Sequence, residues 1–460
     1  MKNILHSCYI FLAILIFASC EGLDIVPEGD ISLDQSFTKP QDAENALLGI
    51  YVTLQHKSYY GGFYVLSADA LGGDAKTGGY NNPALDELSA MNVSPDNVIT
   101  DQMWSNIYKT IASTNYVIEG IYKIKEFEFL PRRNVIEGQA RAIRAMAHFD
   151  CLRYFGEHWD TLSTNGIPIM NKIKPFDEIS PRQSVKANYD FIISELETAV
   201  KMMNPNEKKT QYMTYWGAKA LLARVNLYKK NYEKAEYYAT QVIDSKQFKL
   251  LSKENYPSVF TSRQTSESIF ELVFSKESIS SFNALTYATE KAIRPDIAFM
   301  APESLKLFWL GRESDVRANL LTFDPQKNDE TILPDGRVLK YKGEVNQDNS
   351  AYIIRLSEMY LIRAEATTPK KGIEDLNYLR ATRGLSKIST VFGISNIDFD
   401  ETLVAERRAE LYFEGHRFFD LARWGHINTV LGVPKFRACL PIPQREIQVS
   451  KNVLTQNSGY

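Results

Sequence analysis

Apolar residues recur at helical spacing through most of this chain. Ala43, Leu47, Ile50, Tyr51 and Leu54 form one stripe behind Pro40, whose fixed φ suits a first helical turn. The same period predicts helices over 102–122, 133–155, 182–203, 212–229 and 232–245. Within 133–155, Ile136, Ala140, Ile143, Ala147, Cys151 and Tyr154 share one side. Glu137, Arg141, Arg144 and His148 form the opposite face, so His148 reads as part of a solvated or ion-paired surface rather than as a ligand.

Small residues mark where helices approach closely. In 217–239, Ala220, Ala223, Ala235 and Ala239 sit with Tyr228 and Tyr232 at a turn, the pattern of a tetratricopeptide unit. Residues 355–367 followed by 371–382 have the same shape, with Ala364 and Ala366 as the small positions. The expected fold is mainly α, helical pairs stacked as a partial solenoid, with a loop-rich insertion and a few short strands. Residues 247–350 supply that insertion, with Glu267–Phe274 and Arg337–Tyr341 as strand candidates. Glycines at 61, 62, 72, 73, 78 and 79 break the 57–100 stretch. Neither glycine cluster fits a phosphate-binding loop. A loop mixing Tyr, Asn and Asp suits a sugar, whose hydroxyls take amide and carboxylate partners and whose C–H face takes a ring. A plain connecting loop has the same composition.

Charge is densest in 404–425. Glu406, Glu410 and Glu414 recur one turn apart, Arg407, Arg408, Arg417 and Arg423 stand among them with Asp420, Gly415 is placed to end one helix in a left-handed cap, and Gly425 is placed to stop a second. Two carboxylates in a cleft could be a glycosidase acid and base. Here arginines accompany every acid and aromatic residues stand behind them, so the cluster reads as a semi-buried ionic clamp, built from Glu406, Arg407, Glu410, Glu414, Arg417, Asp420 and Arg423.

Composition adds limits. With 460 residues, 44% hydrophobic and a net charge of −3, the chain supports a large core and offers no basic footprint for nucleic acid. Its 25 tyrosines against 5 tryptophans leave sugar stacking to Tyr and Phe. At the N-terminus, Lys2 precedes an uncharged apolar run, 9–18, too short to span a bilayer and suited to a signal h-region. Phe17-Ala18-Ser19-Cys20 resembles a bacterial lipobox, which makes residues 1–19 a signal peptide and Cys20 the lipidated residue. Cys8 leaves with the signal, and Cys151 and Cys439 remain, Cys151 as a buried small hydrophobe. Scattered histidines and the absence of a C-x-x-C motif predict no metal site and no cofactor.

The pattern E-R-R-x-E-L-x-F-E-G-x-R-x-F-D-L-x-R-W-G resembles the C-terminal signature of the SusD/RagB family. The opening around Phe37 and Asp42-Ala43, the helix ending at Phe155-Gly156, the stretch 352–366 and the ends 440–447 and 454–460 resemble that family too. Its members are glycan- or nutrient-binding outer-membrane lipoproteins of Bacteroidetes partnered with TonB-dependent transporters. The resemblance implies a helical region over 20–246 and a C-terminal region over 247–460 packed as one unit. It also implies Cys20 anchored in the outer membrane facing outward, a SusC-like TonB-dependent transporter as partner, and an oligo- or polysaccharide ligand. In this family the two irregular regions contribute to the ligand site. Tyr80 and Tyr287 would stack on the sugar, Asn81, Asn82 and Asn283 would meet hydroxyls, and Asp74 and Arg294 would add charged hydrogen bonds. Two other functions fit parts of the pattern. An all-helical carbohydrate-active enzyme would need an exposed acid/base pair, and a protein-binding helical-repeat scaffold explains the repeats but not the lipobox or the C-terminal signature.

Overall fold

Short polar side chains start most of the long helices where the apolar period begins. The structure, a computed structural model, describes residues 33–78, 82–175, 178–275, 278–287, 297–322, 336–342, 349–389 and 395–460, so Cys20 and the signal segment lie outside the described residues. Helix α1 (Pro40–Leu54) opens on the predicted proline and buries Ala43, Leu47, Ile50, Tyr51 and Leu54. Helix α2 (Phe63–Leu71), strand β1 (Lys76–Gly78) and helix α3 (Pro83–Ser89) occupy the glycine-broken stretch. Then come α4 (Val98–Gly120), α5 (Leu130–Phe155), α6 (Val185–Met202), α7 (Tyr215–Tyr228) and α8 (Tyr232–Asp244). Asn97, Ser184, Thr214 and Asn231 each accept a first-turn backbone N–H through the side chain and so fix where α4, α6, α7 and α8 begin.

Strands β2 (Ser268–Leu272) and β3 (Ile297–Met300), helix α9 (Glu303–Trp309) and strand β4 (Ala351–Arg355) make up the insertion. Then come α10 (Leu356–Ala366), α11 (Pro369–Thr382), α12 (Asn396–Leu411), α13 (Arg417–Trp424) and α14 (Ile427–Leu431), and a short helix, Gln444–Val449, follows near the C-terminus. Helix packs on helix in a row: α1 on α4, α4 on α5, α5 on α6, α6 on α7 and α7 on α8. The row continues from α8 to α10 and from α10 to α11, which joins the two predicted helical pairs, α7/α8 and α10/α11, as neighbours. Strand β2 pairs antiparallel with β4, and β1 with β3. One apolar cluster runs from Phe37 to Leu454 and takes in residues of every helix from α1 to α14 and of β2, β3 and β4.

Three local expectations need correction. Residues 337–341 are not a strand: Val338 makes a single bridge to Leu321, and Leu339–Tyr341 turns as a 3₁₀ helix. His148 is wholly buried, its Nδ1 bonded to the Arg144 carbonyl at 2.8 Å and its Nε2 accepting from the Met170 N–H at 3.1 Å. The other members of that face do pair, Arg141 with Glu137 and Glu195, and Arg144 with Glu195, so α5 meets α6 through ions rather than water. Gly415 is not the cap of α12. That helix ends at Leu411, with Tyr412 (φ −58°, ψ 140°) as its cap residue, and both Phe413 (φ 58°) and Gly415 (φ 79°) are left-handed in the turn that follows. Asp69 on α2 holds this turn, its carboxylate accepting from the N–H groups of Phe413 and Gly415 at 2.8 Å each. A Cβ at Gly415 would come within 3.2 Å of the Val65 Cα, so the close approach of α2 also requires glycine. Gly425 stops α13 as predicted, in a left-handed cap (φ 74°).

The three glutamates of the motif are buried and paired, but with partners from other segments. Glu406 accepts from Arg317 at 2.8 Å and from Arg380. Glu410 accepts from Arg355 (2.9 Å), Arg383 (2.9 and 3.1 Å) and Arg317 (3.3 Å). Glu414 takes two bonds from Arg355 at 2.8 Å and one from Lys340 at 2.7 Å. Lys340, wholly buried, spends its other donors on the carbonyls of Glu410 and Tyr412 and sits 4.0 Å from the Tyr412 ring centroid. Glu267 and Asp315 close the network against Arg355, Arg383 and Arg317. Arginines of the motif itself serve a second cluster, in which Arg407 and Arg423 grip Asp420 and Arg423 reaches Glu365. Arg417 makes no ion pair among the described residues; its stem lies against Gly72, where a Cβ would fall 2.7 Å from the Arg417 Cβ.

Burial alone would raise the acids, yet Arg317 and Arg380 hold Glu406 below its ordinary value, and Arg383 and Arg355 hold Glu410 well below it. Arg355 bridges Glu267, Glu410 and Glu414, so Arg355→Ala leaves buried carboxylates uncompensated. Chemical unfolding of this variant should show a loss of about 3–5 kcal/mol, and a loss under about 1 kcal/mol would contradict the network's role.

Acid should act in two stages. Burial pushes His148 down to about 3 and His158 and His416 well below 6.5. A group with a depressed folded pKa gives stability that is complete above its unfolded pKa and is lost as pH falls below it. The histidines therefore begin to destabilise the fold below pH 6.5, and Glu406, Glu410 and Asp420 add to this as pH falls through the carboxylate range. Asp69 and Glu271, raised by burial, take up protons in the fold above the ordinary carboxylate range and act in the opposite sense. An NMR titration from pH 7 to 5 should leave the rings of His148, His158 and His416 neutral in the folded protein; titration of these rings near 6.5 would contradict their neutral burial.

Candidate functional site

The short ribbon β1–β3 brings together the two irregular regions singled out in the sequence. Lys76 faces Met300 and Gly78 faces Ile297, antiparallel. The end of the ribbon at which β1 leads into residues 79–81 is therefore the end at which 288–296 lead into β3. Backbone pairing, rather than helix stacking, makes this juxtaposition. Gly78 is required there, because a Cβ would fall 2.3 Å from the Ile297 carbonyl oxygen. The helical turn Phe282–Thr286 packs against β3, and α3 against β1, so the ribbon has support on both sides.

Of the seven expected ligand contacts, Tyr80, Asn81 and Arg294 lie outside the described residues. The structure places the other four. Asp74 is wholly buried and pairs with Arg408 on α12 at 2.6 Å, so it staples the Gly72-Gly73 loop to the interior instead of facing solvent. Arg408 lies 5.0 Å from the Phe308 ring centroid, which ties α9 to the same staple. Asn283 is also wholly buried and donates its amide to the carbonyls of Tyr341 (3.4 Å) and Lys342. Tyr287 is 7% exposed; Arg337 stands 5.8 Å from its ring centroid and donates to its carbonyl at 2.8 Å. In this arrangement Asp74, Asn283 and Tyr287 are committed to packing and cannot reach a solvent-borne sugar. Asn82 is half-buried, and its side-chain oxygen accepts from the Ala84 N–H at 3.0 Å, starting α3.

Of the residues that brace these loops, Asp69 carried no pattern in the sequence, while Arg408 stood in the charged motif and Arg337 and Lys340 in a strand candidate, with nothing to mark them as partners of the loops. No spacing rule links Asp74 to a cation 334 positions away. Among the described residues, no group of three or more His, Cys, Asp or Glu could hold a metal ion, and no helix is long and apolar enough to cross a membrane.

Comparison with known proteins bears on the family and the fold. Residues 322–435 match the SusD family model, and residues 71–227 match the model described as "Starch-binding associating with outer membrane". The chain belongs to the SusD/RagB family. It is 25% identical to SusD-like protein P38 of Formosa agariphila over 94% of this chain and 93% of that protein. A crystal structure of a SusD superfamily protein from Bacteroides thetaiotaomicron superposes with a TM-score of 0.81 at 27% identity, covering 91% of this chain and 100% of that one. A laminarin-binding SusD-like protein shares the fold, with a TM-score of 0.77 at 22% identity, covering 92% of this chain and 100% of that one. The mainly helical architecture, with its paired helices and short ribbons, is that of the SusD superfamily.

Proposed function

We propose that this SusD/RagB member is a cell-surface glycan-binding lipoprotein. It is acylated at Cys20, sits on the outer membrane and captures an oligo- or polysaccharide, which it passes to a SusC-like TonB-dependent transporter. Membership of a family described as starch-binding and outer-membrane-associated supports the ligand class and the location, and the laminarin-binding relative supports a polysaccharide. One observation carries the placement of the site: the Gly78–Ile297 register, which joins the segments bearing Tyr80-Asn81-Asn82 and Arg294 at one end of a braced ribbon. Tyr80 would stack on a sugar C–H face, Asn81 and the free part of Asn82 would hydrogen-bond hydroxyls, and Arg294 would add charged donors.

Catalysis by the motif carboxylates does not fit. Glu406 and Glu410 are 1% and 0% exposed, their oxygens are filled by guanidinium hydrogen bonds, and Glu410 is held ionised far below the range of a general acid. Regions 20–246 and 247–460 act as one unit in this reading, since α8 of the first packs on α10 of the second.

Calorimetry of the purified protein against starch, laminarin and other polysaccharides should find one that binds. Tyr80→Ala should then weaken it about tenfold, roughly 1–2 kcal/mol, with an unchanged thermal melt. No binding across the panel would contradict the glycan reading; binding unaffected by Tyr80→Ala would remove this site from it.

A further inference from the structure

A groove of about 570 Å³ runs between α1 and α4, on elements that the glycan site does not use. Its walls are largely apolar or small: Ala46 and Gly49 on α1, Ala112 and Tyr116 on α4, and Ile173 on the opposite wall. That wall is built, not loose. The Asn115 amide donates to the carbonyls of Met170 (3.2 Å) and Lys172 (3.1 Å), and the Ile173 N–H donates to Glu119 at 2.6 Å. Ile173 is 44% exposed, so apolar surface on this wall faces solvent.

We propose that residues 21–32 of the same chain dock in this groove. The described chain begins at Leu33, and its first turn, Leu33–Ser36, packs on α4. Four residues on, the Phe37 ring lies 5.2 Å from that of Tyr116, a groove residue, so the preceding segment starts at the groove's edge. Twelve extended residues reach up to roughly 40 Å, against about 14 Å for the groove along α4 from Tyr108 to Val117. In extended chain Leu23 and Ile25 share a side, which gives the segment an apolar edge that fits such walls. Glu21, Asp24, Glu28 and Asp30 make the segment acidic with no Lys or Arg, while Lys172 stands on the groove wall beside Lys174, whose own ammonium is paired with Glu178 at 2.7 Å. Docked in this way, a lipid-bearing Cys20 would turn the α1–α4 face toward the membrane. That orientation rests on the lipoprotein reading, whereas the docking does not.

Amide exchange of the intact protein tests this without any glycan. Gly49 has no atom within 4 Å of a built Cβ, so Gly49→Trp fills the groove without disturbing the fold. Amides of 21–32 should exchange at least about tenfold more slowly than an unstructured chain, and Gly49→Trp should return them to unstructured rates with an unchanged melt. Leu23→Asp with Ile25→Asp, altered in the leader alone, should do the same, which keeps the test valid should Gly49→Trp misfold. Unstructured rates in the native chain, or protection that survives both variants, would overturn the proposal. So would a free leader together with a concentration-dependent dimer that Gly49→Trp abolishes, which would assign the groove to a second copy. Failure here would leave glycan binding untouched, and failure of glycan binding would leave the leader's protection untouched.

Discussion

Glu410 is a carboxylate at 0% exposure that accepts hydrogen bonds from three arginines, each from a different part of the chain. An ionised carboxylate in the interior costs several kcal/mol unless cations and donors replace its water. Arg317, Arg355 and Arg383 can do so only if α11, the strand before α10 and the loop before residue 322 all converge on α12. The same cations then serve Glu267, Asp315, Glu406 and Glu414, so one segment cannot leave without stranding charges on the others. Apolar packing supplies most of the driving force for the fold, while this network specifies which segments meet.

The helical rows were legible in the sequence because the apolar period is long within each of α4 to α8, whose start positions carry caps or proline. The motif glutamates could be recognised as clamped, since three carboxylates one turn apart must be neutralised. Their partners could not be read. Arg407 and Arg423 turn out to serve Asp420, and the glutamates draw on Arg317, Lys340, Arg355 and Arg383, none of them adjacent in sequence. Lys340 shows the difficulty most clearly. Its neighbours Val338 and Tyr341 read as a buried strand, but a buried ammonium that must reach two carbonyls and a carboxylate needs the tighter 3₁₀ turn.

At the proposed site, the two irregular regions singled out in the sequence meet through the β1–β3 ribbon. Polar residues in loops serve equally as ligands and as staples, and composition does not separate the two. Asp74 and Asn283 proved to be staples, one holding the Gly72-Gly73 loop to α12 and the other holding a helical turn to residues 341–342. A charge-locked helical frame thus fixes the described ends of these loops.

The motif's charge cluster is architecture, and recognition is proposed at the ribbon end. Amide exchange compared with and without a saturating bound oligosaccharide tests this most directly. The account predicts added protection in peptides covering 76–83 and 287–300, with 404–425 unchanged. Protection centred on 404–425 with an unaffected ribbon would contradict it.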